Sequence, residues 1–150
     1  MLNLLRPNTW RTGLFCLMLP LLATGSVQAQ SPTLFQQLGQ EQGISLVVDE
    51  LLRLALQDQR ISATFKDSNM RRLAKLLKEQ ICVVSDGPCN YTGDDMKVVH
   101  ESMGISSAQF NALAEDLQIA MDKFNVPSTT QNRLIARLAP MKRDIVRAKK

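Results

Sequence analysis

Apolar side chains recur at three- and four-residue steps through most of this chain, and no useful run alternates apolar with polar as a half-buried strand would. Ile44, Val47, Val48, Leu51, Leu52 and Ala55 share one face of a helix predicted over 43–57. A break follows at 58–68. Ser68 and Asn69 then offer caps to a second helix, whose stripe is Met70, Leu73, Leu76, Leu77, Ile81 and Val84 and whose stop signal is Asp86-Gly87-Pro88. Ser106 or Ser107 caps a long third helix with Phe110, Leu113, Leu117, Met121 and Phe124 on one side. Pro127 suits the first turn of a last helix, predicted to carry Leu134, Ile135, Leu138, Ile145 and Val146. Four substantial helices and a short one make an all-α fold class; periodicity alone goes no further than a small helical bundle.

The first 29 residues belong to a different class of segment. Arg6 and Arg11 precede the apolar run 13–23, and Val27-Gln28-Ala29 presents small residues where a signal peptidase reads. The expectation is a secretory signal cut after Ala29 and a mature domain over 30–150, periplasmic or secreted. Interrupted by Pro20, the apolar run falls short of the ~20 residues that span a bilayer, so no membrane span is expected in the mature chain. Two of the 18 basic residues leave with the signal, against 14 acidic ones that stay, so no charge argument supports a nucleic-acid partner. The basic cluster Lys142, Arg143, Arg147, Lys149 and Lys150 reads as a solvated helix end at the negative pole of the helix dipole. Cys16 also leaves, and the remaining pair, Cys82 and Cys89, is either a disulfide suited to an oxidising compartment or two independent thiols. So short a ring contributes at most about 2–3 kcal/mol in the chain-entropy model.

His100 is the one histidine of the chain. Taken alone it is more simply a surface or core histidine than a metal ligand, but it stands in the run Tyr91-Thr92-Gly93-Asp94-Asp95-Met96-Lys97-Val98-Val99-His100, with Met103-Gly104-Ile105 close behind. Other motifs frame that run. Leu38-Gly39 precedes Val47-Val48-Asp49-Glu50-Leu51, Phe65 precedes Asn69-Met70-Arg71-Arg72-Leu73, and Gly87-Pro88 leads to Tyr91. Phe110 follows Gly104-Ile105, and Val126-Pro127-Ser128 and Leu138-Ala139-Pro140 close the series. In this order and spacing, residues 35–146 resemble a group I truncated haemoglobin, with Gln40 where the family commonly has a second glycine.

The resemblance implies a two-over-two helical sandwich around haem b. His100 would be the proximal iron ligand, and the Met96 carbonyl, one turn earlier, would accept its Nδ1–H. Val99, Ile105, Phe110 and Leu113 would wall the porphyrin, with Phe65, Leu73 and Leu77 also against it. Arg72 and Lys75 would either meet the propionates or do nothing specific. On the distal side Leu52 and Leu77 occupy the positions where well-studied relatives have a tyrosine and a glutamine, so the usual donors to bound oxygen are absent. Gln80, on the same stripe as Leu73 and Leu77, either donates to the ligand or faces solvent. Tyr91 matches a position near the proximal loop, not a distal donor. The implied function is reversible binding of a diatomic gas: oxygen, nitric oxide or carbon monoxide. One alternative is a haem-dependent redox enzyme, resembling a nitric oxide dioxygenase or a peroxidase and served by an electron-donor protein; no distal histidine or arginine supports the peroxidase form. Another is a haem-free helical interaction module, which the presence of His100 and Phe65 argues against.

Overall fold

A computed structural model describes residues 31–146. The expected signal over 1–29 and the basic residues Arg147, Lys149 and Lys150 lie outside the described residues. Among the described residues every regular element is helical: α1 (Leu34–Gln37), α2 (Gln40–Gln57), a 3₁₀ turn (Ser62–Phe65), α3 (Met70–Val84), α4 (Met96–His100), α5 (Ser107–Lys123), α6 (Ser128–Leu138), a second 3₁₀ turn (Ala139–Met141) and α7 (Lys142–Ile145).

The caps follow from side chains that accept orphan N–H groups. Asn69 accepts from Arg72 N–H at the start of α3, and Ser106 forms a reciprocal box with Gln109 at the start of α5. Two expectations need correction. Helix α2 begins at Gln40, three residues before the predicted start, after a turn in which Gly39 (φ 81) and Gln40 (φ 58) are both left-handed. Gln40 thus carries a side chain through a conformation that costs about 1–2 kcal/mol in the absence of glycine. The last helix is also not continuous. Pro140 lacks an N–H and its ring crowds the preceding turn, so α6 ends at Leu138 and Ile145 sits on the separate α7, packed near α4 and α5.

Helix α2 is the centre of the packing, laid against both α5 and α3. Leu34, Ile44, Val48, Met121 and Leu134 meet in the interior, fully buried, each contributing ~1.5–3 kcal/mol by removal from water. Glu50, a buried residue of the same helix α2, accepts from Arg53 (2.6 and 2.9 Å) and from Lys123 of α5 (2.8 Å). These two cations hold its carboxyl at a pKa of about 2, below the ordinary 4.5. At the other end, Arg137 of α6 donates to Val84 O (2.6 Å) and pairs with Asp86 (2.7 Å), whose left-handed φ of 64° terminates α3.

Candidate functional site

Helix α4 is only five residues long, and local hydrogen bonds define it. Asp95 Oδ1 accepts Lys97 N–H at 2.8 Å to start it. His100 Nδ1 lies 2.8 Å from Met96 O, so the ring donates there and presents Nε2, which bonds to no other described residue. The half-buried imidazole therefore has one nitrogen fixed and one available.

The segment before α4 is tied back to α3. Thr92 donates both its backbone N–H (2.9 Å) and its hydroxyl (2.8 Å) to Glu79 Oε2. Those bonds, the backbone one first, hold the Glu79 carboxyl below its usual pKa. Lys75, expected at a propionate or idle, lies 3.6 Å from the other Glu79 oxygen. Tyr91 donates to Asp94 O at 3.2 Å within the loop. The sulfurs of Cys82 and Cys89 are 2.00 Å apart. Between them Gly87 is confined: a Cβ there would lie 2.6 Å from both Phe35 and the Cys82 sulfur, so only glycine fits.

Helices α3 and α4 both carry apolar side chains that the protein covers only in part. On α3 only Ile81 and Cys82 are fully buried, whereas Leu73, Leu76 and Leu77 are partly buried despite their place in the stripe. On α4, Val98 is 65% and Val99 40% exposed. Leu52 is buried, and Leu73, Leu77 and Leu113 pack against the same interior cluster. Leu113 also joins Phe65 over Ala55, Ile61 and Ala112. Ile105 is buried, and the Phe110 ring has Lys142 Nζ 5.5 Å above it.

The structure thus gathers Leu52, Phe65, Leu73, Leu77 and Leu113 on connected packing. Val99 remains exposed, and Arg72 is exposed with its N–H given to the Asn69 cap. Gln80 does not simply face solvent. Its Nε2 lies 3.4 Å from both Met96 Sδ and Met141 Sδ, so the amide is half-buried and engaged with α4 and the turn before α7. Sequence reasoning missed Glu79 and Thr92, since a glutamate four residues after a lysine reads as a solvated helix pair and a loop threonine carries no signal. Partly covered apolar side chains on α3 and α4, with one imidazole nitrogen of His100 left unbonded by the described residues, fit a flat apolar group bearing a metal that takes a nitrogen ligand.

Comparison with known proteins agrees. Residues 33–147 match the family model described as bacterial-like globin. The chain is 30% identical over 118 residues to the group 1 truncated hemoglobin of Mycolicibacterium paratuberculosis, covering 79% of this chain and 87% of that protein. It is 31% identical over 124 residues to that of Synechocystis sp., covering 76% and 97%. The crystal structure of truncated hemoglobin from Tetrahymena pyriformis in the Fe(III) form superposes with a TM-score of 0.75 at 22% identity, covering 78% of this chain and all of that one. The last likeness gives the fold, a two-over-two helical sandwich.

Proposed function

The chain belongs to the group 1 truncated haemoglobins of the bacterial-like globin family and is a haem-binding globin, and from that premise we propose that it binds a diatomic gas reversibly at haem b with His100 as the proximal iron ligand. The observation that carries this reading is the 2.8 Å bond from His100 Nδ1 to Met96 O. Haem supplies an iron with one position for a protein nitrogen and one for a small ligand. Donation of Nδ1–H to a carbonyl fixes the ring plane and makes Nε2 a better donor to metal. Phe65, Leu73, Leu77, Ile105, Phe110 and Leu113 would hold the porphyrin by apolar contact and keep water from it, and Val99 would be covered on binding. Arg72 on the exposed rim of α3 is the charge partner for a propionate.

On the gas side Leu52 and Leu77 present no donor. The Gln80 amide nitrogen is directed at two thioethers, which supports a pocket that is effectively apolar. Oxygen gains more from a hydrogen-bond donor than carbon monoxide does, so the parent protein releases oxygen fast. Leu77→Gln or Leu52→Tyr slows that release about tenfold for each ~1.4 kcal/mol regained, with carbon monoxide changing much less. Slow oxygen release by the parent protein contradicts the apolar pocket. Spectra of the ferric, ferrous and carbonmonoxy forms test the whole reading, and a purified protein without a Soret band contradicts it.

The proposal extends to location. The signal-like start 1–29 supports export to the periplasm or beyond, where an oxidised Cys82–Cys89 pair is stable. Their Cα atoms are 5.9 Å apart, within the range a bridge requires. The intact mass of exported protein tests both points: a chain starting near Gln30 and two hydrogens lighter than its reduced form is expected. Two alkylatable thiols without reductant contradict the bridge.

A further inference from the structure

Two consecutive residues of α3 reach the segment that carries His100, and neither contact is explained by packing alone. Glu79 Oε2 accepts two donors from Thr92, three residues before the Asp95 cap of α4. Its neighbour Gln80 reaches Met96, whose carbonyl in turn accepts the His100 ring. The Glu79 side chain is 17% exposed, and its carboxylate takes both Thr92 donors at 2.8–2.9 Å, a short, charge-assisted pair of bonds at the surface.

We infer that Glu79 is the positioning residue of the proximal histidine: through Thr92 it sets where α4 starts, and so where His100 Nε2 points relative to α3. The inference rests on the reading of His100 as iron ligand. Gln80 is a second, weaker tie, since a thioether is a poor acceptor. The arrangement matters because Leu73 and Leu77, on the gas side, belong to the same helix as Glu79. One rigid element therefore fixes the spacing between the gas-side wall and the histidine. Among the described residues, the side-chain hydrogen bonds of the loop 90–95 besides the Glu79 pair are local, from Tyr91 to Asp94 O and from Lys97 N–H to Asp95, while α4 itself leans on α7 and on Gln80. A five-residue helix has little stability of its own to hold its direction.

The test is resonance Raman of the ferrous, ligand-free haem protein, reading the iron–imidazole stretch, together with haem transfer to an excess of an acceptor protein. Glu79→Leu removes the acceptors at similar size; we expect a shifted or broadened stretch and haem loss about tenfold faster, as for one charge-assisted bond. Glu79→Gln keeps an acceptor oxygen and is expected to restore the parental stretch and most of the retention. Should Glu79→Leu fail to fold, Thr92→Val removes one of the two bonds and is expected to shift the stretch in the same direction by less. A folded Glu79→Leu protein, or failing that Thr92→Val, with the parental stretch and haem loss overturns the inference, as does a Glu79→Gln protein as impaired as Glu79→Leu. A parent protein that binds haem yet lacks an iron–imidazole stretch overturns the His100 reading itself, a result separable from the others because it needs no variant at position 79.

Discussion

The α2–α5 interior and the α3–α4 face are built from the same kind of stripe, yet one is closed by protein and the other is not. Val48, Met121 and Leu134 meet no water at all. Leu73 and Leu77, although packed against the interior on one side, are only partly buried, and Val98 and Val99 are exposed. Helical periodicity says that a face is to be buried; it does not say whether the covering surface is another helix or a prosthetic group. On the proposed reading the second stripe becomes core only once haem is in place, so the two regions are expected to depend differently on haem.

The sharpest way to break that contrast is to truncate one residue from each region. Leu134→Ala removes buried atoms from the closed interior and should cost about 2–5 kcal/mol of unfolding free energy, with or without haem, in denaturant melts. Leu73→Ala should cost the haem-free protein clearly less than Leu134→Ala, because the side chain is only partly buried, while speeding haem loss several-fold. Equal stability losses for the two variants in haem-free protein would erase the distinction.

Two buried carboxyl groups sharpen it further, since both lie on the closed side and one is paired. Asp116 is 4% exposed and its Oδ2 has no partner; burial, with the neighbouring Asp58 charge, pushes its carboxyl pKa up. A raised carboxyl pKa means that the charged form is disfavoured by folding, a penalty present at neutral pH and relieved in acid. Asp116→Asn should therefore raise stability at pH 7 by about 1 kcal/mol, less or not at all once pH falls below the folded pKa. A loss of stability at pH 7 would mean that the carboxylate has a role in the fold. Glu50 runs the other way. With its pKa lowered to about 2 by Arg53 and Lys123, its contribution is present above pH 4.5 and lost as pH falls toward 2. Acid titration of parent and Glu50→Gln should show that component in the parent alone, the smallest effect of the series.

Much of this was legible in residues whose role is local. The Asn69 and Ser106 caps, the α2 stripe and the reach of Met96 O to His100 all follow from three- and four-residue spacing. What was not legible depended on partners distant in sequence or on competing signals. Helix α1 is too short for a periodic stripe, although Thr33 and Gln36 stand at capping-box spacing and mark it. The stripe through Ile145 and Val146 concealed the stop at Pro140, where the missing N–H outweighed apolar spacing. Gln80 shares the helical spacing of Leu73 and Leu77, but its target depends on where α4 and the turn before α7 come to rest. Glu79 and Thr92 meet across 13 residues, and neither residue type announces the other.

The central claim is that His100 Nε2 holds the iron. It is tested most directly by His100→Gly reconstituted with haem, with and without free imidazole, and read by absorption in the ferrous and carbonmonoxy forms. The account predicts loss of stable haem in the variant and recovery of a parental Soret band when imidazole fills the space. A variant that keeps the parental Soret and carbonmonoxy spectra without imidazole would contradict it.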